Sequence, residues 1–166
     1  MARPRVSVPV TPLRRGVEAL AAGVLVALLV YVWTMWPQIP ERVPTHFNVH
    51  GRPDRWGSGR SLLLLMPALA LANFVGFTVL TRLPHLYNYP FRISEENAPR
   101  MYAIGVSFMA WMNLEIVLLF ALLSWRQMEV AVGRAAALGA WLLPGVLAAN
   151  AATLGIHLWR MRQAAR

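Results

Sequence analysis

The sequence predicts an all-α integral membrane protein: a four-helix bundle with a structured extracytoplasmic loop between helices one and two. Three observations carry this. Of 166 residues, 57% are hydrophobic and 14% charged, and the mean hydropathy of +0.47 belongs to a chain dissolved in a bilayer rather than in water. Four apolar segments, residues 16–36, 61–80, 101–125 and 135–159, each approach or exceed the ~20 helical residues that span a hydrocarbon core. The basic residues, all of them Arg, gather at the edges of those segments.

Residues 1–15, "MARPRVSVPVTPLRR", read as a disordered basic arm. The first span, 16–36, follows it and is too long for the apolar region of a signal peptide; "WPQIPERVP" beyond it lacks a small-residue cleavage site. It is expected to stay in place as a helix. Loop 37–60 comes next, then span two, in which Ser58 or Ser61 is expected to cap the helix start. In the connection "RLPHLYNYPFRISEENAPR", Asn97 ahead of Ala98 and Pro99 signals the start of helix three, with Asn97 accepting from a helical N–H. Span two holds "MPALALAN" and span four "LPGVLAAN"; the shared Pro and Asn spacing suggests a duplicated hairpin in which each Pro loosens its helix.

Arg placement orients the chain, because cytoplasmic flanks carry the excess of positive charge. Ten Arg fall on the side of the termini (Arg3, Arg5, Arg14, Arg15, Arg82, Arg92, Arg100, Arg160, Arg162, Arg166). Six fall opposite (Arg42, Arg52, Arg55, Arg60, Arg126, Arg134). Both termini of this multi-pass protein are therefore expected in the cytoplasm; the Arg-only, Ala-rich composition suggests a GC-rich bacterial genome, and with it the bacterial inner membrane. Trp33, Trp36, Trp56, Trp125 and Trp159 stand at or near span ends, where indole rings settle.

Charge and composition exclude some functions. A net charge of +9 would fit nucleic acid only if basic residues clustered on a polar surface; they do not, and the expected partner is the lipid bilayer. The chain has no Cys, which removes disulfides, thiolate metal sites and Cys nucleophiles. No cofactor is expected, and the balance leans away from an enzyme.

Inside the membrane the outstanding residue is Glu115. A carboxylate in hydrocarbon costs about 3 kcal/mol or more and so finds a partner, a cavity or a proton. At about 1.5 Å of rise per residue, Asn73 lies at a similar depth and is the expected partner. Asn113 lies on another face of the same helix and is expected to meet a different neighbour. The pair Asn73 and Glu115 supports either a structural bond between helices or a small ion- or proton-coupled transporter. His85 and His157 read as interfacial polar residues.

The loop holds "VPTHFNVHGRPDRWGSGR". His46 and His50 are four residues apart, and with Asp54 they could supply three ligands to a membrane metal-dependent hydrolase. Gly51 and Pro53 oppose the helix that such a site would use. A tight turn at "GRPD", in which Asp54 bonds nearby N–H groups, accounts for more of the residues. It does not account for the density of polar groups.

These same residues resemble a known signature. "IPERVPTHFNVHGRPDRWGSGRS" is similar to the motif of the bacterial membrane domain of unknown function 1648, found at the N-terminus of SdpI-type immunity proteins and in short membrane proteins. Pro40, Pro44, His46, Phe47, Asn48, Gly51, Pro53, Asp54, Trp56, Gly57 and Ser58 occupy its positions. The chain departs from it where Gly59 and Arg60 replace the usual Lys, and His50 falls on an open position. The C-terminal domain of the longer immunity proteins is not recognisable. The resemblance implies a binding or accessory protein, with an immunity or signalling role in the longer members. His46, Asn48, Gly51, Pro53, Asp54, Trp56 and Gly57 form its loop motif, and a peptide toxin, a lipid headgroup or a partner membrane protein is the implied partner.

Overall fold

The computed structural model describes residues 3–166. Helix α1 (Pro12–Met35) starts where Thr11 accepts from the Arg14 amide at 3.2 Å and Pro12 takes the first helical position, where its missing N–H breaks no bond. The arm expected as disordered is thus helical from Pro12, and its first two residues lie outside the described ones. One stripe of α1 is buried: Val17, Ala21, Leu25, Leu28, Val32 and Met35. Those steps of three and four keep it on a single face. The opposite face exposes Leu20, Val26, Leu29, Val30 and Trp33, an apolar surface suited to lipid and too large for a water-soluble monomer.

A short 3₁₀ turn (Trp36–Gln38) leads into two antiparallel strands, β1 (Arg42–Phe47) and β2 (Pro53–Ser58). A second 3₁₀ turn (Arg60–Leu64) enters α2 (Leu65–Leu80). Neither Ser58 nor Ser61 caps α2; Gly59 stands at the cap of the 3₁₀ turn and Leu64 at that of α2, both without a side-chain bond. After a third 3₁₀ turn (Pro84–Leu86) comes α3 (Ala98–Ala131), and last α4 (Leu142–Ala164). All four helices are long and apolar enough to cross a membrane, and the protein is a multi-pass membrane protein.

The start of α3 falls at Ala98 as expected, by a different device. The Asn97 side chain reaches back, accepting from the Ser94 amide at 2.9 Å and donating to the Arg92 carbonyl at 3.1 Å. It therefore shapes the approach to the helix instead of capping it. Helix α4 begins later than the expected residue 135. Gly133 and Gly139 both have positive φ, a conformation open to Gly and costly for other residues, and between them the chain turns rather than spirals. Arg126 secures that segment, donating to the carbonyls of Ala137 at 2.7 Å and Leu138 at 3.0 Å. Pro67 and Pro144 each fall at the third residue of their helices, within the first turn. They open helices there instead of loosening them midway.

Helix α3 is the axis of the fold. It has 34 residues, or about 51 Å at 1.5 Å per residue, against a hydrocarbon core of about 30 Å. It therefore projects past the core. Helices α1 and α2 pack on it and on each other, and α4 packs on α3. Only 11% of α4's apolar window is buried, which makes it the peripheral helix.

Two apolar clusters sit at opposite ends of α3. One, around Met101, Tyr102 and Ile104, includes Tyr87, Tyr89 and Met161 and gathers both termini on one side. There Tyr102 donates to the Pro4 carbonyl at 2.9 Å, Tyr87 to the Leu80 carbonyl at 2.7 Å, and Arg3 to the Tyr87 carbonyl. Burial pushes the Tyr87 phenol up to about 12. The other cluster joins Val32, Met35 and Ile39 to Val43, Leu63, Val117, Met128 and Ala131. It carries the strand pair.

Candidate functional site

The loop that was expected to form a tight turn at "GRPD" is a β-hairpin whose turn lies earlier, at Asn48 to Arg52. The Asn48 amide donates to the Arg52 carbonyl at 2.9 Å, and the Gly51 amide to the Asn48 carbonyl at 2.8 Å. The Asn48 side chain completes the turn, its Oδ1 accepting from the amides of His50 at 2.9 Å and Arg52 at 3.1 Å. This is the backbone mimicry that Asn performs in turns. Gly51 has φ +71°, which a residue with a Cβ adopts rarely. A Cβ there would also press on Leu138 at 3.4 Å.

Strand register explains the rest of the motif. Pro44 pairs with Trp56 and His46 with Arg55, so Thr45 is an extra residue on β1; Phe47 pairs with Pro53, so Asp54 is an extra residue on β2. Bulges of this kind bend a strand and re-aim its side chains. The result brings His46 Nδ1 and Asp54 Oδ1 to 2.6 Å. Asp54 was expected to serve backbone N–H groups; it instead accepts from the imidazole. Because a carboxylate only accepts, Nδ1 carries the proton and Nε2 is left as the ring's acceptor when the ring is neutral. Gly57 is required by the first bulge, since a Cβ on it would lie 2.8 Å from Thr45 Cγ2.

The hairpin is anchored at base and tip. At the base, Val43 and Pro44 are buried, with Val43 in the cluster with Ile39, Leu63 and Met128. The Gly59 amide donates to the Glu41 carbonyl at 2.8 Å. The Arg60 guanidinium, displaced from the usual basic position of the signature, lies over the Trp36 ring at 5.0 Å, a cation–π contact. At the tip, the Leu138 amide donates to the Gly51 carbonyl at 2.8 Å. The α3–α4 connection, whose apolar residues predict the start of span four, is thus the hairpin's seat. Beneath it, Tyr31 donates to Glu129 Oε1 at 2.9 Å, and Arg134 meets Glu129 at 3.5 Å and donates to Gln38.

What remains outward is a mixed surface. His46, Arg52, Asp54, Arg55 and Trp56 are exposed, and Val49 at the tip is 96% exposed. The three-ligand set His46, His50 and Asp54 is not assembled. His50 sits in the turn and gives its amide to Asn48, and among the described residues no group of three His, Cys, Asp or Glu could hold a metal ion.

The intramembrane pairing also differs from expectation. Asn73 Nδ2 donates to Asn113 Oδ1 at 3.2 Å, tying α2 to α3, so Asn73 and Glu115 are not partners. Glu115 faces α4, where the Thr153 hydroxyl donates to its Oε1. Asn113 and Glu115 serve different helices, as their positions around α3 predict. Asn150 bonds back to the Val146 carbonyl of its own helix. His157 is buried rather than interfacial, between the Thr153 carbonyl at 2.7 Å and Ser107 Oγ at 3.2 Å. A signal for this set was present. Ser107 and Glu115 are eight apart on α3, and Thr153 and His157 four apart on α4, so each pair shares one stripe of its helix.

Comparison with known proteins agrees with the hairpin's motif. An uncharacterised protein of Archaeoglobus fulgidus is 33% identical over 89 residues, 49% of this chain and 49% of that protein. The match thus spans about half the length of that relative. No solved structure matches the chain. Residues 23–71 match the family described as Domain of unknown function (DUF1648), a stretch that runs from within α1 through the whole hairpin into α2. Over that stretch the chain is similar to the DUF1648 family, and the match does not extend to α3 or α4.

Proposed function

We propose that the chain is a non-enzymatic binding protein of a bacterial inner membrane, and that its hairpin recognises a peptide or a partner membrane protein on the extracytoplasmic side. The observation that carries this reading is a contrast within one element. The hairpin's backbone is secured by Asn48, by the buried Val43 and by the bond from Leu138 to Gly51. Its outward side chains nonetheless include an exposed aromatic ring, an exposed apolar tip and several charges. Pre-organised backbone lowers the ordering cost of binding, and Trp and Arg are the residues that dominate interfaces.

Charge indicates the kind of partner. Residues 41–60 hold four Arg against one Glu and one Asp, which favours an acidic segment and speeds its encounter. The similarity to SdpI-type proteins extends this to immunity or signalling, with a secreted peptide toxin as the partner. The ten-to-six Arg bias supports cytoplasmic termini.

Photo-crosslinking in the native membrane tests the reading. A photoreactive residue at Trp56 or Val49 is expected to capture a discrete partner, whereas one at lipid-facing Trp33 is not. Arg55→Glu should abolish the adduct while the protein accumulates normally. Failure of the hairpin variants to accumulate, or adducts equal at all three positions, would assign the hairpin a structural role instead.

A further inference from the structure

The end of the fold that carries both termini is strongly basic, with ten Arg against Glu18, Glu95 and Glu96. The chain ahead of α1 is held against this end. Arg3 donates to the Tyr87 carbonyl, Tyr102 donates to the Pro4 carbonyl at 2.9 Å, and Val8 packs on the cluster around Tyr102. Held there, it walls two cavities that share Val8 and Arg14. The larger, about 420 Å³, lies toward α2 and is lined by both Arg82 and Glu18. The smaller, about 280 Å³, lies toward α3 and α4. Thr11, Arg14, Ser107 and Arg160 line it with apolar Leu13 and Val106, and among the described residues no carboxylate does.

The donors of the smaller cavity are largely unspent. Arg14 gives its Nε–H to Glu18 at 2.7 Å, which leaves the N–H groups of both Nη atoms. Its side chain is 13% exposed, so packing fixes where those donors lie. Among the described residues Arg160 forms no salt bridge. Thr11 accepts from the Arg14 amide at 3.2 Å and keeps its own O–H to give. Ser107 is taken up by His157 Nε2 at 3.2 Å. Two guanidinium groups and a hydroxyl around one concavity suit a phosphate, whose oxygens accept from such forks in pairs.

Depth selects the source of that phosphate. Arg14 is the third residue of α1 and Arg160 the fifth from the end of α4. The adjoining Trp159 is 61% exposed, as indole rings at the membrane–water boundary are. Lipid phosphates lie at this level, and basic clefts between transmembrane helices hold anionic headgroups. We propose that this cavity binds the phosphate diester of an anionic phospholipid, with Arg14 and Arg160 holding its oxygens and Thr11 donating to it. The site is independent of the hairpin, which stands at the other end of α3. A zwitterionic headgroup fits less well, because its ammonium would face two guanidinium groups. The larger cavity is the poorer site, since the Glu18 carboxylate in its wall repels an anion.

Native mass spectrometry of the full chain released from detergent micelles tests this, with phosphatidylglycerol, phosphatidylcholine and inorganic phosphate as probes. One phosphatidylglycerol per chain is expected to be retained in preference to phosphatidylcholine. Arg160→Gln should weaken that retention about tenfold, the loss of one charge-assisted bond. Arg160→Lys keeps the charge without the fork and should fall between. Arg82→Gln removes the same charge from the same end and should retain the lipid as the native chain does. Equal weakening by Arg82→Gln and Arg160→Gln would reveal general attraction to a basic face and overturn the site, as would equal retention of the two lipids. Displacement of phosphatidylglycerol by millimolar inorganic phosphate would overturn the lipid as the occupant. Arg160 is exposed, so both of its variants should melt as the native chain does in detergent, which separates lost binding from lost structure.

Discussion

Removal of the Asn48 side chain isolates what the turn contributes to the hairpin. Asn48→Ala deletes two side-chain-to-backbone bonds, from the His50 and Arg52 amides. A net hydrogen bond contributes about 0.5–1.5 kcal/mol. Both amides lie in an exposed turn, where water can replace the lost acceptor, so the pair contributes toward the lower end, about 1–2 kcal/mol in total. The anchors at base and tip do not depend on this side chain: Val43 remains in its cluster and Leu138 still donates to Gly51. The hairpin should therefore open more often while the helices stay as they are, because local units of a protein open with their own free energies. Since 1.36 kcal/mol is a factor of ten, amide hydrogen exchange across β1 and β2 should accelerate by about tenfold. Exchange in α1 and α3 should not change. Asn48→Asp keeps an acceptor at the same place and should exchange almost like the native chain. Hairpin exchange unchanged in Asn48→Ala would refute the role of the side chain in the turn. Acceleration spread evenly over the helices would refute the independence of the hairpin.

Three further outcomes follow from the geometry. Gly105→Ala would place a Cβ 2.6 Å from the Tyr89 hydroxyl and 2.9 Å from its ring, and Tyr89 is buried in a stack with Tyr87 and Tyr102. It should destabilise the protein by about 1–3 kcal/mol, the usual cost of overpacking, read as a lower melting temperature in detergent. Gly57→Ala should be milder, because it strikes the methyl group of exposed Thr45, and adding Thr45→Ser should restore the native exchange rate of the hairpin; persistence of the defect in the double variant would count against the clash. Tyr87 should titrate near 12 in the difference spectrum between the native chain and Tyr87→Phe. The folded phenol holds its proton more tightly than an unfolded one, so its contribution is complete below the ordinary value of about 10 and is lost as pH rises through about 12. A midpoint at the ordinary value would mean that the Tyr87 phenol is not buried as the structure places it.

The membrane class and the four spans were legible in the sequence because hydropathy is a sum over neighbours along the chain. It does not depend on what those neighbours pack against. The motif around His46, Asn48, Asp54 and Trp56 was legible for a similar reason, since its residues lie within a short stretch. Its conformation was not. "GRPD" carries ordinary turn residues, but the side chain of Asn48 closes the turn earlier, and two bulges put Asp54 beside His46. No local preference of Pro53 reports on the pairing register of a strand on the far side of the turn.

Partner choice inside the membrane was the part that only tertiary structure decided. Depth along a helix can be estimated from rise per residue, and it placed Asn73 and Glu115 level with each other. Contact also depends on how each helix is rotated about its axis and on which neighbours surround it. Helix α3 turns Asn113 toward α2 and Glu115 toward α4, so Asn73 finds an amide and Glu115 finds Thr153. In the same way, the segment after α3 is apolar enough to pass for the start of a span, yet two glycines with positive φ and the bonds from Arg126 hold it as a seat for the hairpin. The sequence by itself determined that this chain enters a membrane and what its exposed motif contains. The tertiary structure decided which groups meet, because the rotation of helices and the register of strands are settled by residues far apart in the chain.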